Sequence, residues 1–360
     1  LPSKQILIDI CHPAEVHHFI HLYAGLIQND WEVLFAAKRK DVTEALLIEY
    51  NLPFVIFANN QKGLWRKICY LPVELWRFHA LVRRFKPSFL VSNLSLHSSW
   101  IGWIHRLTHI AFVDTEERRL LDLITAPLAQ VKLTGRSYYG KLGRHHYTYP
   151  GNHELAYLHP KHFKPDSTVL SELGLKAGEP FVVVRLIAWQ AFHDAGLTHM
   201  DLDERMQLIG TIAKKKRIFI STESPLPVAL EPYHFPLPAG RLHHALSFAD
   251  LYIGEGSTMA SEAVVLGIPA VLLNARHIGY CIEAEHQGLL FRFDRLGAEA
   301  TQKITELLEL TDIREAFREK HRHFISSMID VTAFMTWFVE TYPDSLARMR
   351  EDPGYAGRFV

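Results

Sequence analysis

Cysteine is scarce in this chain. Three occur in 360 residues, Cys11, Cys69 and Cys281, and no two form a CxxC pair. That spacing excludes a disulfide framework and a thiolate zinc site, and it fits a reducing cytoplasm. An excess of one charge is also missing. Lys+Arg and Asp+Glu both number 39, so no global field recruits nucleic acid, and no nucleic-acid partner is expected. No uninterrupted apolar run approaches the roughly 20 residues that span a bilayer. The 22 histidines include no HExxH. Most are scattered, as at His21, His79, His105, His159 and His234, and read as surface or half-buried residues. No metal and no cofactor are assigned.

What remains is a well-cored protein, 48% apolar and 22% charged, long enough for about two domains. Strand-like runs alternate with helical spacing from the start: 4–10, 32–37, 53–57, 87–92, 109–114 and 129–134 are the strands, with helical stretches at 16–28, 41–50, 66–85, 97–106 and from 116. Such alternation predicts a parallel sheet covered on both faces. Between 135 and 165 the periodicity fails in a stretch rich in Gly, Pro, Tyr and His, read as the interdomain passage. The alternation then restarts with strands at 181–186, 217–221, 251–253, 270–273 and 289–293. Helices are expected at 202–215, 241–248, 258–266, 298–310 and 312–328, and a terminal amphipathic run at 330–349 could return to the first domain. The fold class is therefore α/β, two Rossmann-like domains facing across a cleft. Their limits are drawn at 1–155, 156–329 and, for the returning helix, 330–360.

The most informative stretch is 250–274, DLYIGEGSTMASEAVVLGIPAVLLN. Gly254 and Gly256 suit a turn where backbone approaches a ligand. Ser257 or Thr258 can cap the next helix, whose first amides and dipole then face the loop and favour a phosphate. Glu262 follows on the first turns, where its carboxylate could accept hydrogen bonds from both hydroxyls of a ribose. A phosphate cradle beside a diol acceptor is the logic of a nucleotide pocket. Met259 stands where the dinucleotide fingerprint has its third glycine, and no P-loop lysine follows. Hydride transfer is disfavoured.

In open α/β sheets ligands bind at the carboxyl ends of strands, and polar residues cluster there. CHPAEVHHF places His12, Glu15, His17 and His18 after the first strand. Histidine titrates near neutrality and suits general-base work, although His12 could merely hold the turn before Pro13. VDTEERR places Asp114 and Glu116 after the fifth. They could orient a sugar hydroxyl or act as an acid–base pair, or Asp114 could cap the following helix. RLIAWQAFHDAG supplies Arg185 for a diphosphate, Trp189 for stacking, and His193 and Asp194. STES adds Thr222 and Glu223. The segment 61–76 interleaves Lys62, Arg66 and Lys67 with Leu64, Trp65, Ile68 and Tyr70. Such a mixture marks either peripheral contact with an anionic membrane or a lipid-linked acceptor, or an ordinary half-buried helix.

IDICHPAEVHHF, VDTEE, YPGNHELAYLHPKHFKPD, VVVRLIAWQAFHDAG and IGEGSTMASEAVVLGIPA together resemble a bacterial and archaeal group of uncharacterised proteins of the GT-B glycosyltransferase superfamily, over about residues 4–330. More distantly the chain is similar to UDP-N-acetylglucosamine 2-epimerases and to the muropeptide N-acetylglucosaminyltransferase. The resemblance implies that Gly256, Ser257 and Thr258 hold phosphates and that Glu262 holds the ribose. CHPAE replaces the glycine-rich loop of the muropeptide transferase and the GTRPE-like loop of the epimerases, and VDTEE is a loose counterpart of the epimerases' HVEAG.

The expected function is metal-independent transfer of a sugar from a nucleotide-sugar donor, with uridine as the favoured base, to an unidentified glycan or lipid-linked acceptor. His12, His17, Asp114 and Glu116 are the catalytic candidates. Arg185, Trp189, His193, Glu223, Gly256, Ser257, Thr258 and Glu262 are the donor-binding ones. The rival readings are a 2-epimerase-like isomerase and a nucleotide-sugar-binding protein without chemistry. The expected location is the cytoplasm, with peripheral contact at the inner face of the membrane as an extension of it.

Overall fold

The computed structural model describes residues 4–40, 42–61, 63–116, 118–176, 178–186, 200–222 and 225–360, the side chains of Leu64 and Arg119 excepted. The chain forms two compact units, residues 1–162 with 328–360, and residues 163–327. The first unit runs β1 (Gln5–Ile10), α1 (Pro13–Gln28), β2 (Glu32–Arg39), α2 (Thr43–Glu49), β3 (Phe54–Asn59), α3 (Leu64–Phe85), β4 (Phe89–Ser92), α4 (Leu96–His105), β5 (Thr108–Val113), α5 (Arg119–Thr125), β6 (Val131–Gly135), β7 (His146–Tyr149) and α6 (Leu155–Leu158). The second runs α7 (Thr168–Glu172), β8 (Phe181–Leu186), α8 (Leu202–Ala213), β9 (Arg217–Thr222), α9 (Leu242–Leu246), β10 (Leu251–Gly254), α10 (Ser257–Val265), β11 (Ala270–Leu273), α11 (Gly279–His286), β12 (Leu290–Phe293), α12 (Ala298–Glu309) and α13 (Ile313–Ser326). The closing helices α14 (Val331–Glu340) and α15 (Asp344–Glu351) belong to the first unit again.

Both sheets are parallel throughout, in the orders β3-β2-β1-β4-β5-β6-β7 and β12-β11-β10-β8-β9. Central strands carry continuous apolar runs, ILI in β1 and FVVV in β8, because both faces are covered, and Ile6, Leu7, Ile8, Val182, Val183 and Val184 are fully buried. None of the described helices is long and apolar enough to cross a membrane.

The stretch 135–165 is not a bare passage. Its residues 146–149 form β7, paired in register with β6 (Leu133 opposite Tyr147), and its residues 155–158 form α6. Tyr149, fully buried, anchors it. The alternation is hard to see because HYTY has no apolar periodicity and part of what covers it, Phe334 against Tyr149, comes from the chain's far end. The terminal run is two helices rather than one, since Pro343 has no amide to continue α14. The return itself is as expected. Phe334 lies 5.4 Å from Tyr149 and 5.7 Å from Phe359, Thr332 donates to the Ala156 carbonyl at 2.6 Å, and the Ile329 amide donates to the Pro150 carbonyl at 2.9 Å.

Phe334→Ala is expected to destabilise the first unit by about 3–5 kcal/mol, the usual cost of emptying a buried phenylalanine site. Urea unfolding monitored by tryptophan fluorescence measures it, and a loss below about 1 kcal/mol would mean that the tail is dispensable to that core.

Candidate functional site

In the first sheet the strand order reverses between β1 and β4, and the crevice of an open sheet lies outside the strand ends at such a point. Asp9, fully buried near the end of β1, organises it. Its carboxylate accepts hydrogen bonds from the Ser95 hydroxyl, from the Ser98 hydroxyl at 2.9 Å and from the Cys11 thiol at 3.6 Å. Ser95 Oγ also accepts from the Ser98 amide at 3.0 Å and so caps α4. Between β4 and that cap, Leu94 takes φ +50°, a left-handed conformation uncommon for leucine. Arg118 holds it there: its two terminal nitrogens donate to the carbonyls of Asn93 and Leu94, both at 2.7 Å. Asn93 Nδ2 in turn donates to Asp114 at 2.9 Å, and His153 Nε2 lies 3.9 Å from the other Asp114 oxygen.

Several polar atoms beside this pair have no hydrogen-bond partner among the described residues: Asn93 Oδ1, both ring nitrogens of His18, both amide atoms of Asn152, and His153 Nδ1. Buried polar groups are normally satisfied, and each orphan costs about 1–3 kcal/mol. Burial and the neighbouring histidine hold His18 neutral, and burial lowers His153 to about 4.

The expected catalytic residues are distributed differently. His12 is the N-cap of α1: the Ala14 amide donates to its Nδ1 at 3.3 Å, and Glu15 returns a carboxylate to the amides of His12 (3.3 Å) and Cys11 (2.7 Å). With Nδ1 accepting, neutral His12 carries its proton on Nε2 and presents a donor, not a base. His17 is bonded to the Tyr50 hydroxyl at 3.1 Å and packed near Tyr157. Asp114 does not cap a helix, because α5 starts five residues later without a side-chain cap. Glu116 is buried and accepts from the Tyr139 amide at 3.3 Å, so the two carboxylates are sent to different partners. Glu116 also lines a cavity of about 1110 Å³ with Asp122, Lys132, Tyr138, Tyr139 and Arg350. Burial there brings Lys132 down to about 8. Histidine burial is likewise deeper than expected, with His18 and His109 fully enclosed.

The second unit builds the loop read from 250–274. Gly254 lies opposite Arg185 in the parallel register of β10 and β8. A Cβ on Gly254 would stand 2.7 Å from the Arg185 carbonyl oxygen, so only glycine fits. Beneath the loop Glu255 is buried, accepting from the Met200 amide at 3.1 Å and facing Arg205 at 3.3 Å, while Asn274 donates to its carbonyl at 2.8 Å. The Tyr252 hydroxyl donates to the Gly256 carbonyl at 3.1 Å. Helix α10 begins at Ser257 with Gly256 as N-cap, and neither Ser257 nor Thr258 caps it. Its dipole is directed into a loop held from below. Arg185, half-buried, donates to Ser221 at 2.7 Å.

Glu262 departs from the expected open presentation. It is 4% exposed, and its Oε1 lies 3.1 Å from His243 Nε2 of α9, within its own unit. A ribose would have to join or displace that pair. Trp189, His193, Asp194 and Glu223 lie outside the described residues.

Among the described residues, two groups of donors could approach a metal ion, Asp9 with Cys11 and His97, and His159 with His162 and Asp330. Each has protein partners: Asp9 those above, and Asp330 both His162 Nε2 at 2.7 Å and the Ala333 amide at 2.9 Å as cap of α14. Reasoning from sequence missed Asp9, Asn93, Ser95, Arg118, His153 and His243. Asn152 and His153 did stand within the motif YPGNHELAYLHPKHFKPD, the one signal available for them.

The chain matches no described protein family profile. An uncharacterised protein of Methanocaldococcus jannaschii, MJ0665, is 22% identical over 282 residues, 75% of this chain and 81% of that protein. Among solved structures, the UDP-GlcNAc 2-epimerase of Neisseria meningitidis bound to UDP-GlcNAc superposes with a TM-score of 0.65 at 12% identity, covering 94% of this chain and 99% of that one. The fold is GT-B. Spinosyn rhamnosyltransferase SpnG shares it, with a TM-score of 0.60 and 13% identity over 94% of this chain and 98% of that one. GT-B architecture is thus common to 2-epimerases and glycosyltransferases, and this chain has it from end to end.

Glu15 gives a pH test of the first-unit network. Burial raises its carboxyl to about 8, against an ordinary 4.5. Between those values the folded chain binds a proton that the unfolded chain releases, so this group's contribution to stability is full below about 4.5 and is lost as pH rises through 8. Glu15→Gln is expected to remove that decline, on the order of a few kcal/mol. Urea unfolding at pH 5, 6.5 and 8 measures it; parallel profiles for both proteins would show that Glu15 titrates normally.

Proposed function

We propose that the protein is a nucleotide-sugar-dependent glycosyltransferase that uses a UDP-sugar. The observation carrying this reading is the start of α10: a helix without a side-chain cap, following a strand whose last residue, Gly254, admits no side chain beside Arg185. A helix amino end and a guanidinium are a fitting pair for a diphosphate. The amides of Gly256, Ser257 and Thr258 take the phosphates, and Glu262, together with His243, takes the ribose. As the sugar leaves, negative charge grows on the diphosphate, and fixed dipoles and Arg185 stabilise it with no metal required. The acceptor belongs to the first unit, where Asp114, oriented by Asn93, removes its proton and the orphaned amides and imidazoles around it bind its hydroxyls. The architecture shared with SpnG and with the Neisseria epimerase bound to UDP-GlcNAc supports this assignment.

One observation favours a second reading. Burial raises the Glu15 carboxyl to about 8, so it keeps its proton near neutrality, and the charges of Asp9 and Asp114 add to that shift. A protonated carboxyl with a charged one suits an isomerase that moves a proton at a sugar carbon.

UDP at a hundredfold excess over its Kd is expected to add about 2.7 kcal/mol of apparent stability, and Arg185→Gln to weaken UDP binding by at least about tenfold. Calorimetry against UDP-, GDP-, dTDP- and CMP-sugars measures both. Incubation with UDP-GlcNAc and no acceptor then separates the chemistries, because appearance of the epimerised sugar supports the isomerase. Failure to bind any of these nucleotides would remove the donor-site assignment altogether.

A further inference from the structure

Three helices of the first unit, α3, α4 and α5, pack side by side, and their outward faces are apolar. Helix α3 exposes Trp65 (79%) and Trp76 (67%) with Ile68 and Val73; α4 exposes Trp100, Trp103 (61%) and Ile104; α5 exposes Leu120 (84%), Leu123 (72%) and Ile124. In α4 and α5 the later positions fall three and four residues after the first, and in α3 Ile68, Val73 and Trp76 fall three, eight and eleven after Trp65, so each set forms one stripe. Scattered apolar residues on a surface are ordinary, but a layer of adjacent helices presenting stripes together is not. Four of the chain's seven tryptophans lie in this layer, and tryptophan is the residue most at home between water and lipid.

Charge then selects the occupant. Among the described residues of these helices and the turn that ends α4, the exposed ionised side chains are Arg66, Lys67, Arg77, Arg83, Arg84 and Arg106, all cations. The acidic ones are withdrawn: Glu74 is buried against Lys38 and His97, and Asp122 is buried near Arg118. A second copy meeting this face about a twofold axis would set these cations against their own kind, with no exposed carboxylate among the described residues of these helices to receive them. An anionic bilayer complements both features, with tryptophans at headgroup depth and arginines against lipid phosphates. The cavity lined by Glu116 and Lys132 reaches the edge of the same face at Trp103 and Leu123, which places a polar recess beside the apolar layer.

We propose that α3, α4 and α5 form a docking surface that seats the first unit on an anionic membrane. The inference does not rest on the donor-site reading, and its test needs no nucleotide. The full chain would be sedimented with vesicles of phosphatidylcholine alone and with vesicles one-third phosphatidylglycerol. Partitioning is expected to be at least about tenfold stronger on the anionic vesicles and to fall steeply as salt screens the cations. Trp65→Ser with Trp103→Ser, and separately Arg77→Gln with Arg84→Gln, should each cut it by about tenfold or more. All four side chains are exposed, so melting followed by circular dichroism should be unchanged. A protein that stays in solution with anionic vesicles at low salt would overturn the proposal, as would binding indifferent to both double substitutions. A dimer in sedimentation equilibrium that dissociates on Trp65→Ser with Trp103→Ser, without vesicle binding, would assign the face to a second copy instead.

Discussion

A single buried carboxylate sets the geometry of the first unit's strand ends. Asp9 has no solvent and is stabilised only by the groups that converge on it, so Ser95 and Ser98 of α4 must sit where its oxygens are. An uncompensated charge there would cost several kcal/mol. That requirement fixes the first turn of α4 against β1, and with it the turn leaving β4. The left-handed Leu94 is the price of that turn, and the Arg118 fork keeps it in place. Asn93 then points at Asp114. The chain of constraints runs from the strand through the cap to the side chain proposed to do the chemistry, and each link is a hydrogen bond shorter than about 3 Å.

The two candidate sites are built by different means. In the second, the proposed binding group is backbone: the helix begins at a glycine without a side-chain cap, above a buried Glu255–Arg205 pair. In the first, the candidate binding groups are side chains left without partners at strand ends. Backbone amides suit a phosphate common to many donors, whereas side chains can be shaped to one acceptor.

Most of the architecture was legible in the sequence because parallel strands buried on both faces are continuous apolar runs, and because a glycine-rich turn between strand and helix has a recognisable form. The strand 270–273 and the loop at 254–257 were read nearly to the residue. What was not legible depends on contacts distant in sequence. Strand β7 has no apolar pattern of its own and exists because β6 and the returning tail cover it. Asp9 sits inside a hydrophobic run where nothing marks it as the anchor of a network that closes 86 residues later. His12 was read as a base or as a residue holding the turn before Pro13, and Asp114 as a base or a cap; only the coordinates make His12 a cap and deny that role to Asp114. The pairing of Glu262 with His243 required knowing that α9 passes beside α10.

The split composition of the first unit bears on how the protein is made. Its sheet is translated first, yet Phe334, Phe338 and Phe359, which complete the packing around Tyr149, emerge last. The second unit, continuous from 163 to 327, can finish folding on the ribosome while its predecessor is still waiting for its final helices. During that interval the apolar surface around Tyr149 and α6 lies open, which makes the nascent chain, rather than the finished one, the form most in need of chaperone protection.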